Sequence, residues 1–173
     1  RHRPKLLSSS DDRTVRVWNI DMKRCDAVIK PFSHRCATMR SIAVSDQHIY
    51  IGASDGCVYV YSATSKSRKL TNRKKKRLGV HAIFPLEIEL KCGDTIVSAI
   101  RTTKANLHDI YHSQMFVASW DGSLRIWAIP QNNLDFRLLY TLSNLHSDRI
   151  TALHISTNYF ITASDDQTIR FHG

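Results

Sequence analysis

The stretch MFVASWDGSLRIWAI, residues 115–129, decides the fold. Two short apolar runs, 115–118 and 124–129, are split by the turn-forming pair Asp121-Gly122, a hairpin signature. In the second run Leu124 and Ile126 alternate with Ser123, Arg125 and Trp127. Alternation with a period of two predicts a strand whose two faces do different work.

Working outward, the same phrase recurs as LLSSSDDRTVRVWNI at 6–20, YIGASDGCVYVYSA at 50–63 and YFITASDDQTIRFHG at 159–173. Each copy has a turn aspartate, Asp12, Asp55, Asp121 or Asp166, six places before Trp18, Tyr61, Trp127 or His172. Those end residues stand 43, 66 and 45 positions apart. Two of the intervals match the WD-repeat period of about 40–45 residues, and the third is one period with an insertion of about 22.

On these four aligned copies the chain resembles the WD40 family of β-propellers, in which each repeat supplies a four-stranded antiparallel blade. The resemblance covers nearly the whole chain apart from the insertion. It implies an all-β chain with repeat units near 1–31, 32–72, 78–143 and 144–173, and a basic loop insertion at 65–80. Four repeats are few for the family, the first copy lacks a preceding strand and the last stops at its third. The expectation is a portion of a larger, about seven-bladed ring with artificial edges, and exposed edges pair with other chains.

The family resemblance also assigns roles to single residues. A histidine in the loop between blades, a Ser or Thr of the second strand, the turn Asp and the third-strand Trp form a hydrogen-bonded network in such repeats. Carried over, the network residues are His34, His146, Asp12, Asp55, Asp121, Asp166, Trp18 and Trp127. An aspartate there satisfies turn amides and an imidazole trapped between blades. Tyr61 and His172 depart from the tryptophan, so the full network is not expected in those two blades. A catalytic reading of these Asp and His residues is set aside, because the blade network explains them and no nucleophile accompanies them.

Composition narrows the class further. With 173 residues, 42% of them hydrophobic and 23% charged, the chain is expected to be soluble and to hold one substantial core. The net charge of +10 is concentrated in KSRKLTNRKKKR, where Lys66, Arg68, Lys69, Arg73, Lys74, Lys75, Lys76 and Arg77 carry eight positives without an acid. The remainder is near neutral at +2. Clustered Lys and Arg bind phosphates without reading sequence, so this loop points to RNA or an acidic protein. A nuclear-import signal or a solvated loop fits it equally, since no aromatic residues are interleaved to stack bases.

Cys25, Cys36, Cys57 and Cys92 include no Cys-x-x-Cys pair, and packed reduced thiols account for them. His108 and His112 are four apart, as helical metal ligands often are, but no third ligand accompanies them. Neither a metal nor another cofactor is expected, nor a small-molecule substrate or a membrane partner; no run is long enough to span a bilayer and no signal-like start is present. Cytoplasm or nucleus is the expected location.

The resemblance places partner contacts at the rim of the central channel. Residues just before each turn Asp are Asp11, Ser54, Trp120 and Asp165; near the starts of the innermost strands lie Thr38, Arg40, Arg149 and Thr151. Trp120 leads, because large amphipathic rings anchor interfaces, although packing on the neighbouring blade would explain it as well. The function expected is a non-catalytic scaffold for protein–protein assembly, within a ribonucleoprotein if the basic loop touches RNA. The alternative is a ubiquitin-ligase substrate receptor similar to F-box/WD phosphopeptide readers, with Arg40 facing the channel. Asp11 and Asp165 weigh against it, since carboxylates repel phosphate.

Overall fold

A computed structural model describes residues 5–30, 37–64, 84–104, 113–131 and 134–173. Among the described residues fourteen strands form four antiparallel sheets, and no helix occurs. The first sheet is β1 (Lys5–Ser9), β2 (Val15–Asn19) and β3 (Arg24–Ile29). The second runs β4 (Met39–Val44), β5 (His48–Ala53), β6 (Cys57–Ser62) and β7 (Leu86–Lys91). The third runs β8 (Val97–Thr102), β9 (Gln114–Ser119), β10 (Leu124–Ala128) and β11 (Arg137–Leu142). The last holds β12 (Ile150–Ile155), β13 (Phe160–Ser164) and β14 (Ile169–His172).

Each sheet is one propeller blade, and the expected four-repeat, all-β architecture is what the chain adopts. One boundary moves. The interval 78–143 ran β7 into the third unit, whereas β7 pairs with β6 from Cys57↔Lys91 to Tyr61↔Leu86 and so closes the second blade. The inner strand of the third blade begins at Val97, and Gly93 and Asp94 belong to the loop between blades.

Blades stack face to face through three apolar clusters, one at each junction. Val15, Val17 and Ala27 of the first blade meet Ile49, Ile51 and Tyr59 of the second. The other face of the second blade, with Tyr50, Val58 and Val60, meets Val97, Ile100, Met115 and Val117. Ala99, Phe116 and Leu124 then meet Ile150 and Leu153 of the last blade. Because both faces of a middle blade are covered, every residue of β5 and β6 is buried, and their sequences run HIYIGA and CVYVYS instead of alternating with polar residues. Burying each Val, Leu or Ile here contributes about 2 kcal/mol.

Two irregularities repeat from blade to blade. The innermost strands β4, β8 and β12 each slip register near their first residues, at Met39/Ser41, Val97/Ala99 and Ile150/Ala152. The third and fourth strands slip just before the aromatic position, at Val17/Trp18, Val60/Tyr61 and Ile126/Trp127. Such bulges raise the local twist and re-aim the side chains beside them.

Candidate functional site

The turn between the second and third strands is built alike in all four blades. The residue after the turn Asp is left-handed every time: Arg13 (φ 66°), Gly56 (φ 78°), Gly122 (φ 71°) and Gln167 (φ 66°). The carboxylate accepts the amide two residues on, from Thr14 (2.9 Å), Cys57 (3.1 Å), Ser123 (3.0 Å) and Thr168 (3.0 Å). Thr14, Ser123 and Thr168 also donate their hydroxyls to it. The Thr14 bond leads in lowering the Asp12 pKa, and the Thr168 hydroxyl does the same for Asp166, with His146 adding to it. For Asp121, burial pushes the other way but Ser123 and Arg125 outweigh it, so its pKa too is lowered.

Beyond the turn the blades diverge, and against expectation the network is complete in the last one. His146, whose side chain is fully buried, places Nδ1 2.8 Å from Asp166 Oδ2 and Nε2 2.7 Å from Thr162 Oγ1. Thr162 in turn lies 3.4 Å from His172 Nε2, so His172 works where a tryptophan was expected. Its ring stacks on Phe160 with centroids 4.5 Å apart. In the first blade Trp18 Nε1 donates to Ser8 Oγ at 2.9 Å. Ser8 and Thr162 hold the same register, two residues past the partner of the aromatic position. Ile51 and Val117 stand there in the middle blades, and the Tyr61 hydroxyl and Trp127 Nε1 are buried without a hydrogen-bond partner.

The third blade also lacks the loop histidine. Counted from Val97 and Ile150, which begin the equivalent strands, Gly93 occupies the place of His146. A Cβ on Gly93 would lie 3.4 Å from the Arg125 guanidinium, which fills that space. Arg125 donates to Asp121 Oδ2 at 3.0 Å and to Ser123 Oγ at 2.6 Å. Arg125 is the fourth residue after its Asp, and its equivalents are Arg16, Tyr59 and Arg170. Tyr59 donates to Asp55 Oδ2 at 2.7 Å, whereas Arg16 stays 3.7 Å and Arg170 3.9 Å from their carboxylates. Sequence reading missed Tyr59 and Arg125. The signal was the spacing itself, since the second and fourth residues after the Asp share a strand face with it.

The expected rim residues come together at the same end of the strands. Arg40 of the second blade reaches Asp11 of the first (3.2 Å) and its own neighbour Thr38 (3.2 Å). Arg149 of the last blade lies over the Trp120 ring of the third, 4.4 Å from its centroid. Three main-chain amides knit the positions before the turn Asp to the innermost strands, Ser54 to Thr38 O, Trp120 to Ile96 O and Asp165 to Arg149 O, each at 3.0 Å. Thr151 donates to Ala163 O instead. A cavity of about 450 Å³, lined by His48, Thr103 and Ile129 among others, opens at the other end of the strands, away from these residues.

His34, the basic residues 66–77, and His108 with His112 lie outside the described residues. Burial raises both the Cys57 and Cys92 thiols to about 12, the state of packed and unreactive sulfur. Among the described residues no three His, Cys, Asp or Glu side chains are placed to hold a metal, and no helix is long and apolar enough to cross a membrane.

Comparison with known proteins agrees with this architecture. The family model described as WD domain, G-beta repeat matches residues 2–19 and 136–172. The second match joins β11 to the last three strands, because a sequence repeat begins with the outer strand of the preceding blade. The chain is similar to Nuclear distribution protein PAC1 of Candida glabrata, 24% identical over 184 residues, which span 95% of this chain and 37% of that protein. It is also similar to Mitochondrial division protein 1 of Neosartorya fischeri, 27% identical over 165 residues, with 95% of this chain and 19% of that protein covered. The chain thus spans well under half the length of either curated relative. In fold it matches the crystal structure of the computationally designed Ika4 protein with a TM-score of 0.66, at 18% identity over 99% of this chain and 86% of that one.

Proposed function

We propose that this chain, a WD40-repeat protein, is a non-catalytic platform on which other proteins assemble, with the rim before the turn aspartates as its contact surface. Proteins of this family generally mediate protein–protein interaction and are typically without catalytic activity. The observation that carries the assignment to the rim is the division of labour at Ser54, Trp120 and Asp165. Their main-chain amides do the structural work of binding the innermost strands. Ser54 adds its hydroxyl to that work by accepting the Thr38 amide at 2.9 Å, whereas the side chains of Trp120 and Asp165 take no part in it, and the four positions Asp11, Ser54, Trp120 and Asp165 hold an acid, a hydroxyl, an indole and a second acid. Variable chemistry on a fixed main-chain frame is how a scaffold presents a specific surface.

The finer reading adds a ribonucleoprotein context through Lys66, Arg68, Lys69, Arg73, Lys74, Lys75, Lys76 and Arg77, whose charge favours phosphates or an acidic protein surface. The phosphopeptide reader of a ubiquitin ligase fits less well, because Arg40 is already paired with Asp11.

Replacing Asp11, Ser54, Trp120 and Asp165 together by alanine tests the platform reading in an affinity capture from native lysate. Loss of protein partners with an unchanged melting curve supports it; a full set of partners on the altered rim overturns it. Neutralising Lys74, Lys75, Lys76 and Arg77, with and without nuclease, tests the RNA contact separately. Nuclease-sensitive partners that persist after neutralisation remove the basic segment from consideration.

A further inference from the structure

We propose that Arg149, held over the Trp120 ring, is a preformed receptor for a carboxylate side chain of the protein partner, selective for carboxylate over phosphate. The inference rests on the rim being the contact surface and names the chemistry of what it meets there.

Three observations carry it. First, the arginine is held before any ligand arrives. Its backbone N–H donates to Asp148 Oδ1 at 2.7 Å, its carbonyl accepts the Asp165 amide at 3.0 Å, and its guanidinium sits 4.4 Å from the Trp120 centroid. A long side chain normally loses rotamer freedom when it binds; here the ring has already taken most of it. Second, the donors are unspent. Arg149 is exposed, and among the described residues its guanidinium has no carboxylate, hydroxyl or carbonyl partner. The other rim arginine differs, since Arg40 is engaged by Asp11 and Thr38. A guanidinium whose Cζ lies over an aromatic ring without other partners keeps its N–H groups for a ligand, and two of them match the two oxygens of a carboxylate. Third, the flanking charge limits the ligand. Asp148, next to Arg149 in the sequence, and Asp165, on the neighbouring strand turn, are both exposed; the Asp148 carboxylate accepts the Arg149 amide, and the Asp165 amide donates to the Arg149 carbonyl. A phosphate group carrying nearly two charges meets about twice the repulsion that a carboxylate meets from them. One arginine against two acids therefore suits a single negative charge next to apolar surface that the indole edge can cover.

The test uses the full chain and three ten-residue probes of the same length, rich in glutamate, in phosphoserine or in glutamine. The Trp120 indole N–H resonance reports on this site alone, so binding of acidic probes to the basic segment does not enter the reading. The glutamate probe is expected to shift that resonance saturably, with the phosphoserine probe no tighter and the glutamine probe at least about tenfold weaker, the worth of one charge-assisted contact. Arg149→Lys keeps the charge but not the planar fork, and is expected to weaken the glutamate probe by about tenfold. A static Trp120 resonance, equal binding of the glutamine probe, or undiminished affinity in Arg149→Lys overturns the proposal, and tighter phosphoserine binding overturns its selectivity. The platform reading fails separately: if Arg149→Lys keeps every captured partner while the four-alanine rim loses them, the rim stands and the receptor does not.

Discussion

The third and last blades hold the same turn in the same shape with different chemistry. In the last blade a buried imidazole, His146, bridges Asp166 and Thr162 and is followed by His172. In the third, Gly93 empties the imidazole's place and Arg125 swings into it from the neighbouring strand to meet Asp121. The Arg125–Asp121 separation is 3.0 Å; in the last blade, where the histidine is present, Arg170 stays 3.9 Å from Asp166. What the blade requires is a donor to the turn carboxylate. Which residue supplies it is open to substitution, and the two solutions differ in how they respond to acid and to truncation.

The largest effect that would break the comparison is steric. Gly122 has φ 71°, and a Cβ there would overlap the carbonyl oxygen of His146, so Gly122→Ala is expected to cost about 4 kcal/mol from left-handed strain and backbone displacement together. The matching change in the last blade, Gln167→Gly, relieves the same backbone angle without a neighbour and should stabilise by about 0.5 kcal/mol. Urea midpoints of the two variants decide it, and effects of the same sign and size would sink the steric account.

Next comes the donor itself. His146→Ala empties a fully buried site and takes one partner each from Asp166, which keeps Thr168 and Ser147, and from Thr162, which keeps His172, and should cost about 3 kcal/mol. Arg125→Ala leaves Asp121 partly solvated, with Ser123 still bonded to it, and should cost about 1.5 kcal/mol. A reversed order in denaturant melts would mean that the arginine, not the histidine, is the stronger clasp.

Acid separates the blades more gently. Burial, helped by His146 and Arg170, lowers the His172 pKa below its ordinary 6.5. A depressed folded-state value means that the neutral ring contributes stability above pH 6.5, and that this is lost as pH falls through the folded value. The third blade carries no imidazole at the matching places, which are held by Gly93 and Trp127. Amide exchange at Thr162 and Phe171 should therefore quicken between pH 7 and 5, after correction for intrinsic rates, while Val117 and Trp127 hold; parallel changes would sink the distinction. The smallest expected effect is a repair. Val117→Thr gives the orphaned Trp127 Nε1 an acceptor at the register where Thr162 serves His172, and should gain about 0.5 kcal/mol. A loss in thermal melts would show that the new hydroxyl fails to reach the indole.

Much of this was legible in the chain. Strands and turns follow from alternation and the Asp-Gly or Asp-x pairs, because a hairpin is specified locally by residues that touch. The rim positions were legible for the same reason, being fixed offsets from the turn. The clasp was not. Whether Asp121 bonds a histidine or an arginine depends on Gly93 in another loop leaving room for Arg125, a fact of packing between segments 32 residues apart. His172 was read as a defect because the pattern specified tryptophan, whereas the geometry needs only a ring N–H near Thr162. β7 fell within the unit 78–143, with the strands that follow it, because the insertion hid its distance from β6.

The two turn glycines have a consequence for the shape of everything attached to them. At Gly56 and Gly122 the next blade's loop backbone occupies the volume a methyl group would need, at Gly93 O and His146 O. The angle between neighbouring blades is thus gauged by an atom that is not there. Like the hinge of a long lever, each such contact turns all the blades beyond it, so a displacement of a fraction of an ångström at Gly56 is magnified at the far side of the last blade. The smallest side chains in the molecule set the curvature of the whole stack.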